Sequence, residues 1–251
     1  DGAPRLAPRR ATFDLHSGKT EMLPGVAGRS ETGFKRVLAS PNGEHIVLIG
    51  NGGSILLLSA RTRQLVATLH GGGGGGGWSC QTAVFSADGD VLFTGGGGGG
   101  KVQVWDLRRR CCAHTWHDSG GLRCTALDVS ADGEYLAAGA DSGAVTLYRC
   151  SATLRSARPA AVKEFLNLRT VVTDVSFNAQ TELLAASSKY VKEAMRVAHV
   201  GARSVFSNWP TSKTPLGYVQ GAAFSPHSAY AAIANDKGKV LLYRLNHYEA
   251  A

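Results

Sequence analysis

The chain has 251 residues, 43% hydrophobic and 18% charged, a balance that excludes a disordered polyelectrolyte and suffices to bury a sizeable core in one or two domains. The 27 Lys and Arg against 19 Asp and Glu leave a net charge of +8, which argues for an acidic partner such as RNA without saying which. No apolar run reaches the roughly 18 residues of a membrane span, and Asp1-Gly2-Ala3-Pro4-Arg5 lacks the apolar segment of a signal peptide.

Residues 1–11 read as a basic, proline-containing tail or linker. Thr12-Phe13-Asp14-Leu15 reads as the end of a strand, and His16-Ser17-Gly18-Lys19 as a hairpin turn. One unit then recurs: a polar turn, an apolar strand, a second turn and another apolar strand. Its first turn falls at Ser40-Pro41-Asn42-Gly43, Ser86-Ala87-Asp88-Gly89, Ser130-Ala131-Asp132-Gly133, Asn178-Ala179-Gln180-Thr181 and Ser225-Pro226-His227-Ser228. The successive offsets are 46, 44, 48 and 47 residues. Asp or Asn bonds its own backbone in such a turn, and Gly supplies positive φ. The strand after each turn is expected at 46–49, 91–94, 135–138, 183–186 and 230–234.

The second unit ends in Trp105-Asp106, and at this period that ending resembles the WD repeat, a four-stranded blade of roughly 40–45 residues. The same position is read as Leu57-Leu58, Leu147-Tyr148, Val197-Ala198 and Leu242-Tyr243 in the other copies. The expected fold is therefore all-β: a WD-repeat β-propeller of about five blades plus a partial one. Residues 12–251 would be its C-terminal part. Seven blades are expected in the full protein, with N-terminal blades missing from this chain.

Two homopolymeric stretches interrupt the pattern, Gly71–Gly77 between blades and Gly95–Gly100 at a strand-to-strand turn. They read either as flexible insertions or as stand-ins for unassigned residues, the second favoured because ordinary side chains belong there. Residues 150–170 form the longest connection outside the repeat. Pro159 argues for a loop, and residues 160–168 have room for a short strand.

Catalytic and metal signals are weak. Gly95 to Lys101 matches half of a phosphate-binding loop but lacks the Ser or Thr and leads into a strand rather than a helix. His114-x-x-His117 lacks a third ligand at a sensible spacing. No nucleophile has its base nearby, so the chain is read as not an enzyme, with no cofactor and no metal. Asp141 and Asp236 sit beside turns and are expected to bond turn amides. Cys80, Cys111, Cys112, Cys124 and Cys150 have no metal spacing and are expected to be small apolar side chains in a reducing compartment. Arg108-Arg109-Arg110 directly follows Trp105-Asp106-Leu107, and Lys189, Lys192 and Arg196 form a looser basic set. Both are candidate contacts to RNA or a partner, the arginine run weighed against a merely solvated charged loop. No aromatic-interleaved single-strand motif is evident in the sequence.

From about residue 160 the sequence is more particular. Val191-Lys192-Glu193-Ala194-Met195-Arg196-Val197-Ala198-His199 reads as an atypical Trp-Asp strand, followed by Ser204-Val205-Phe206-Ser207-Asn208-Trp209-Pro210 and a closing Tyr243-Arg244-Leu245-Asn246-His247-Tyr248. These pieces resemble the C-terminal propeller of the U3 small nucleolar RNA-associated protein 18 family. Trp209 stands where that family usually has Phe. The resemblance implies a non-catalytic scaffold of the small-subunit processome, acting in nucleolar pre-rRNA processing and maturation of 18S ribosomal RNA. Implied partners are other propeller and helical-repeat subunits, U3 small nucleolar RNA and pre-ribosomal RNA, with no membrane and no small-molecule substrate. The rival readings are a WD-repeat adaptor of another complex, such as a ubiquitin ligase or chromatin assembly, and a propeller enzyme.

Overall fold

The computed structural model describes residues 10–13, 15–23, 33–71, 79–211 and 214–248. Residues 1–9 of the tail expected over 1–11, Asp14 of the first strand end, and Gly72–Gly77 of the first glycine run lie outside the described residues, while Arg10 and Ala11 belong to a strand. The chain divides into two units, Asp1–His70 and Gly71–Ala251.

In the first unit, β1 (Arg10–Phe13) and β2 (Thr20–Leu23) form the hairpin expected around His16–Lys19. A four-stranded antiparallel sheet follows: β3 (Phe34–Ala39), β4 (His45–Gly50), β5 (Ile55–Ser59) and β6 (Leu65–Leu69). Its buried centre is Leu48, Leu56 and Leu58, with Phe34 and Ile46 packed against them.

The second unit repeats the sheet. Its strands are β7 (Cys80–Phe85), β8 (Val91–Gly96), β9 (Lys101–Asp106) and β10 (Cys111–His117), then β11 (Cys124–Val129), β12 (Tyr135–Ala140) and β13 (Val145–Arg149). A single helical turn, α1 (Cys150–Thr153), intervenes before β14 (Ala161–Phe165). The next sheet holds β15 (Asp174–Phe177), β16 (Leu183–Ser187), β17 (Met195–His199) and the short β18 (Ser204–Val205). The last, among the described residues, holds β19 (Val219–Phe224), β20 (Tyr230–Asn235) and β21 (Val240–Arg244). We number the five sheets as blades 1 to 5, from the β3 sheet to the β19 sheet.

Every blade begins with the same clamp. The side-chain oxygen at the first turn position accepts the amide five residues on: His45 N–H to Ser40 Oγ at 2.9 Å, Val91 to Ser86 at 3.0 Å, Tyr135 to Ser130 at 2.9 Å, Leu183 to Asn178 Oδ1 at 2.8 Å and Tyr230 to Ser225 at 3.1 Å. The fourth turn residue takes positive φ in each, at Gly43, Gly89, Gly133, Thr181 and Ser228. The side-chain oxygen thus satisfies an amide that the turn would otherwise leave without a partner.

In the second unit the first strands β7, β11, β15 and β19 lie side by side, and the core runs between neighbouring blades. Phe93, Val104 and Trp116 of blade 2 meet Leu127, Leu136 and Tyr148 of blade 3. Ala137 and Leu147 of blade 3 meet Phe177 and Leu184 of blade 4, and Leu183 and Met195 of blade 4 meet Val219 and Ile233 of blade 5. Carboxylates stitch the inner strands: Phe177 N–H donates to Asp128 Oδ2 at 2.7 Å, and Ala222 N–H to Asp174 Oδ2 at 3.0 Å. The architecture is that of β-propeller blades, as expected.

The structure corrects four local readings. Leu92 faces Trp105, and the same register pairs Ile46 with Leu58, Leu136 with Tyr148, Leu184 with Ala198 and Ala231 with Tyr243. The Trp-Asp position is therefore Leu58-Ser59, Tyr148-Arg149, Ala198-His199 and Tyr243-Arg244, one residue later than counted. Residues 191–194 are a turn rather than a strand, because β17 begins at Met195. The connection after β13 opens with a helical turn before its strand. Asp141 and Asp236 accept amides of the loop entering their blade, at Leu122, Arg123 and Tyr218, rather than of their own turns.

The second glycine run ends β8 and makes the turn to β9. A Cβ at Gly96 would meet Ser79 O at 2.2 Å, and one at Gly100 would meet Gly121 O at 2.7 Å. Both positions, as folded, have no room for a side chain.

Ser130 is buried, and its hydroxyl carries the Tyr135 amide. Ser130→Ala is expected to destabilise the protein by about 1–3 kcal/mol. Ser130→Asn, which copies Asn178, should recover most of that loss. Denaturant unfolding of the two variants beside the parent measures both.

Candidate functional site

The Trp-Asp pair that marks blade 2 is structural. Trp105 is buried and its indole N–H donates to Thr94 Oγ1 at 2.8 Å, while Asp106 Oδ1 accepts the Arg109 amide at 2.9 Å. Blade 3 solves the same position differently. Ala138 replaces the threonine, so Tyr148 turns its hydroxyl to the loop after β10. The hydroxyl donates to Asp118 Oδ1 at 2.8 Å and accepts the Ser119 amide at 3.0 Å. Trp116 stands edge-on to the Tyr148 ring at 4.9 Å. Burial pushes the Asp118 carboxyl above its ordinary range, against the opposing hydrogen bond from Tyr148. Burial also pushes the Tyr148 hydroxyl well up, with the Asp118 charge adding to it, so the phenol stays a donor.

Asp141 is the opposite case. Burial works against its charge, but the Arg123 side chain at 3.0 Å and the amides of Arg123 and Leu122 together hold the carboxyl below its usual value. Asp236 accepts the Tyr218 amide at 3.1 Å. Both aspartates hold loops in place.

The antiparallel meander gives the second unit two faces. The lower face carries the turns between first and second and between third and fourth strands. The upper face carries the turns between second and third strands and the links from blade to blade. Arg108, Arg109 and Arg110 occupy a lower-face turn of blade 2. Arg108 pairs with Asp90 at 2.7 Å and Arg109 approaches Asp106 at 3.7 Å, so part of their charge is neutralised within the blade. Arg110 is exposed with φ of 58°. Lys189 and Lys192 project from the upper-face turn of blade 4, and Arg196 lies on β17, where its guanidinium donates to the Met195 carbonyl at 2.6 Å. The structure therefore separates the two basic sets onto opposite faces.

Around Lys189 and Lys192 the fold gathers residues that the sequence reading did not connect. The Lys189 ammonium lies 5.6 Å from the centre of the Tyr190 ring, which is 60% exposed. The Lys192 ammonium lies 5.8 Å from the Tyr218 ring. Glu193 N–H donates to Gly217 O at 2.7 Å, and Asp236 N–H to Tyr218 O at 3.1 Å, which brings the blade 5 turn with exposed Lys237 alongside. On the other side, Thr170 Oγ1 donates to Ser188 Oγ at 2.9 Å, next to exposed Arg169. Basic and aromatic groups alternate along this strip.

A pocket of about 390 Å³ lies between blades 4 and 5 towards the lower face, walled by Met195, Val197, Phe206, Trp209, Phe224 and Leu245. Tyr248 at its rim donates to Glu182 Oε2 at 2.6 Å and accepts from Asn178 Nδ2 at 3.2 Å. Burial and the Glu182 carboxylate raise its hydroxyl to about 12. The family-like segments at 205–210 and 243–248 thus fold together as the walls of one apolar pocket.

Among the described residues no group of three His, Cys, Asp or Glu side chains could hold a metal ion, and no helix is long and apolar enough to cross a membrane. All five cysteines are unbridged, with Cys80, Cys124 and Cys150 buried, Cys112 half-buried and Cys111 exposed. Burial pushes the Cys150 thiol to about 12 and Cys124 well above its ordinary value.

Residues 63–106 and 110–149 match the family described as WD domain, G-beta repeat. Blades, clamp and Trp105-Asp106 together define a WD-repeat propeller chain. Over 237 residues it is 35% identical to the mouse U3 small nucleolar RNA-associated protein 18 homolog, covering 94% of this chain and 42% of that protein. The Arabidopsis thaliana homolog is 35% identical over 240 residues, 96% of this chain and 43% of that one. The Saccharomyces cerevisiae U3 small nucleolar RNA-associated protein 18 is 37% identical over 164 residues, 58% of this chain and 28% of its own length. The chain belongs with the U3 small nucleolar RNA-associated protein 18 family and spans less than half the length of these relatives.

Asp118 has a raised carboxyl in the folded state, so its contribution to stability is full below the ordinary aspartate value of 3.8 and is lost as pH rises through the folded value. The stability difference between the parent and Asp118→Asn is therefore expected to shift in favour of the variant from about pH 4 upward. Tyr148→Phe, which strips the buried carboxylate of its donor, should cost about 3 kcal/mol at neutral pH. Unfolding curves across that pH range measure both.

Proposed function

We propose that the protein is a non-catalytic scaffold of the small-subunit processome, acting in nucleolar pre-rRNA processing and 18S rRNA maturation. Its kinship with proteins named for association with U3 small nucleolar RNA, across 94% of this chain, is the observation that carries the reading. The architecture supports it. Blades clamped at one turn and packed through buried inter-blade cores make a rigid frame, and such a frame presents loops on two faces to several partners at once. Burial, before any neighbouring charge, raises the Tyr148 and Tyr248 hydroxyls and the Cys124 and Cys150 thiols. Processome propeller and helical-repeat subunits are the expected protein partners, and U3 and pre-ribosomal RNA the expected RNAs. The nucleolus is the expected location.

Affinity purification of the tagged full-length protein from cells, with the bound RNA probed for U3 and pre-ribosomal species at moderate and high salt, is the test. Enrichment of both at moderate salt is the expected result. A stable protein assembly without either RNA would instead favour a WD-repeat adaptor of another complex.

A further inference from the structure

We propose that the upper-face strip of Lys189, Tyr190, Lys192, Tyr218 and Lys237 is a binding site for single-stranded RNA. The proposal rests on the scaffold reading for the identity of the RNA but not for the chemistry of the site.

The argument begins with charge. Lys189, Lys192 and Lys237 are exposed, and among the described residues none of them is paired with a carboxylate. Three acidic residues lie near the strip. Asp236 is bonded to the Tyr218 amide at 3.1 Å, Asp174 to the Ala222 amide at 3.0 Å, and Glu193 is half-buried in the turn. These carboxylates are engaged by backbone amides or set in the turn and none is paired with a lysine, so the three ammonium groups are available to phosphates, and Arg169 adds a further positive charge on the blade 3 side. The blade 2 arginines differ, since Arg108 and Arg109 already have carboxylates beside them.

Charge alone would suit any acidic surface. The rings decide between partners. Tyr190 is 60% exposed with the Lys189 ammonium over it at 5.6 Å, and Lys192 covers Tyr218 in the same way at 5.8 Å. An ammonium held over a ring occupies the place a base would take, and it lies within a side chain's length of where the adjoining phosphate would sit. A base can stack on the tyrosine as the lysine swings to the phosphate. Stacking needs unpaired bases, which excludes a continuous duplex as the ligand. The backbone bonds from Glu193 to Gly217 and from Asp236 to Tyr218 fix the spacing of the two rings, so the platform exists before RNA arrives.

The test uses purified full-length protein and a fluorescent, unstructured single-stranded RNA of about a dozen nucleotides, titrated at several salt concentrations. The variant with Lys189→Ala, Lys192→Ala and Lys237→Ala is expected to bind at least about tenfold more weakly, with its salt slope shallower by about 2. Tyr190→Ala should weaken binding about fivefold or more and leave the slope unchanged. Arg108→Ala with Arg109→Ala serves as the comparison on the lower face and should bind as the parent does. Circular dichroism melts check that the exposed substitutions leave the fold intact. Unchanged affinity and slope in the lysine variant overturn the proposal. So does loss of a protein partner from the purified assembly with RNA affinity retained, which would make the strip a protein interface. If the protein fails to enrich U3 from cells while the strip binds RNA in solution, the scaffold reading falls and this inference stands; the converse pair of results does the reverse.

Discussion

One hydrogen bond sets the frame: a turn side-chain oxygen accepting the amide five residues on, present in all five blades. It holds the first and second strands at a fixed register. Since side chains alternate across a strand, a slip of one residue would turn the apolar set of β12, Leu136 and Ala138, away from the core between blades 2 and 3. The clamp survives chemical substitution. Asn178 replaces serine in blade 4, and Thr181 and Ser228 take the positive φ that glycine supplies elsewhere. Those two side chains are buried, which indicates that packing compensates the backbone strain.

The second constraint is polar satisfaction between blades. Where a tryptophan lies on the third strand, Thr94 takes its N–H within the blade. In blade 3, where Tyr148 replaces it, the partner moves to the loop linking two blades, and Asp118 is buried there. Exchange of tryptophan for tyrosine and of threonine for alanine at 138 thus converts a bond within one blade into a bond between two. This anchors the link from blade 2 to blade 3, while Asp141 anchors the same link from its other end through Arg123.

The fold was legible because a repeat declares itself several times over. Turn chemistry and apolar strands at a near-constant offset fixed the blades even where Trp-Asp was lost. The register of the third strands was harder to read, for a physical reason. Five residues separate the last paired positions of the second and third strands in blades 1, 3 and 5, but six do so in blade 2 and seven in blade 4. Counting across turns of unequal length misplaces a two-residue signature by one. The upper-face strip was hidden for a different reason. Lys192 and Tyr218 are far apart in sequence and meet only because Glu193 bonds Gly217 across two loops.

The same separation distinguishes the run of three arginines from the scattered lysines. Consecutive residues in a tight turn fan out, and a turn closing a Trp-Asp strand has that strand's own aspartate within reach. Asp106 and Asp90 meet Arg109 and Arg108 for this reason, and a phosphate arriving there would first have to compete with them. Lysines brought together from different blades carry no such local partner. Here Lys189 and Lys192 rest on tyrosine faces, where the cation stays exposed and can leave at little cost. The arginine run is a property of one turn, whereas the lysine and tyrosine strip is a property of the fold, since it exists only when blades 4 and 5 are packed together.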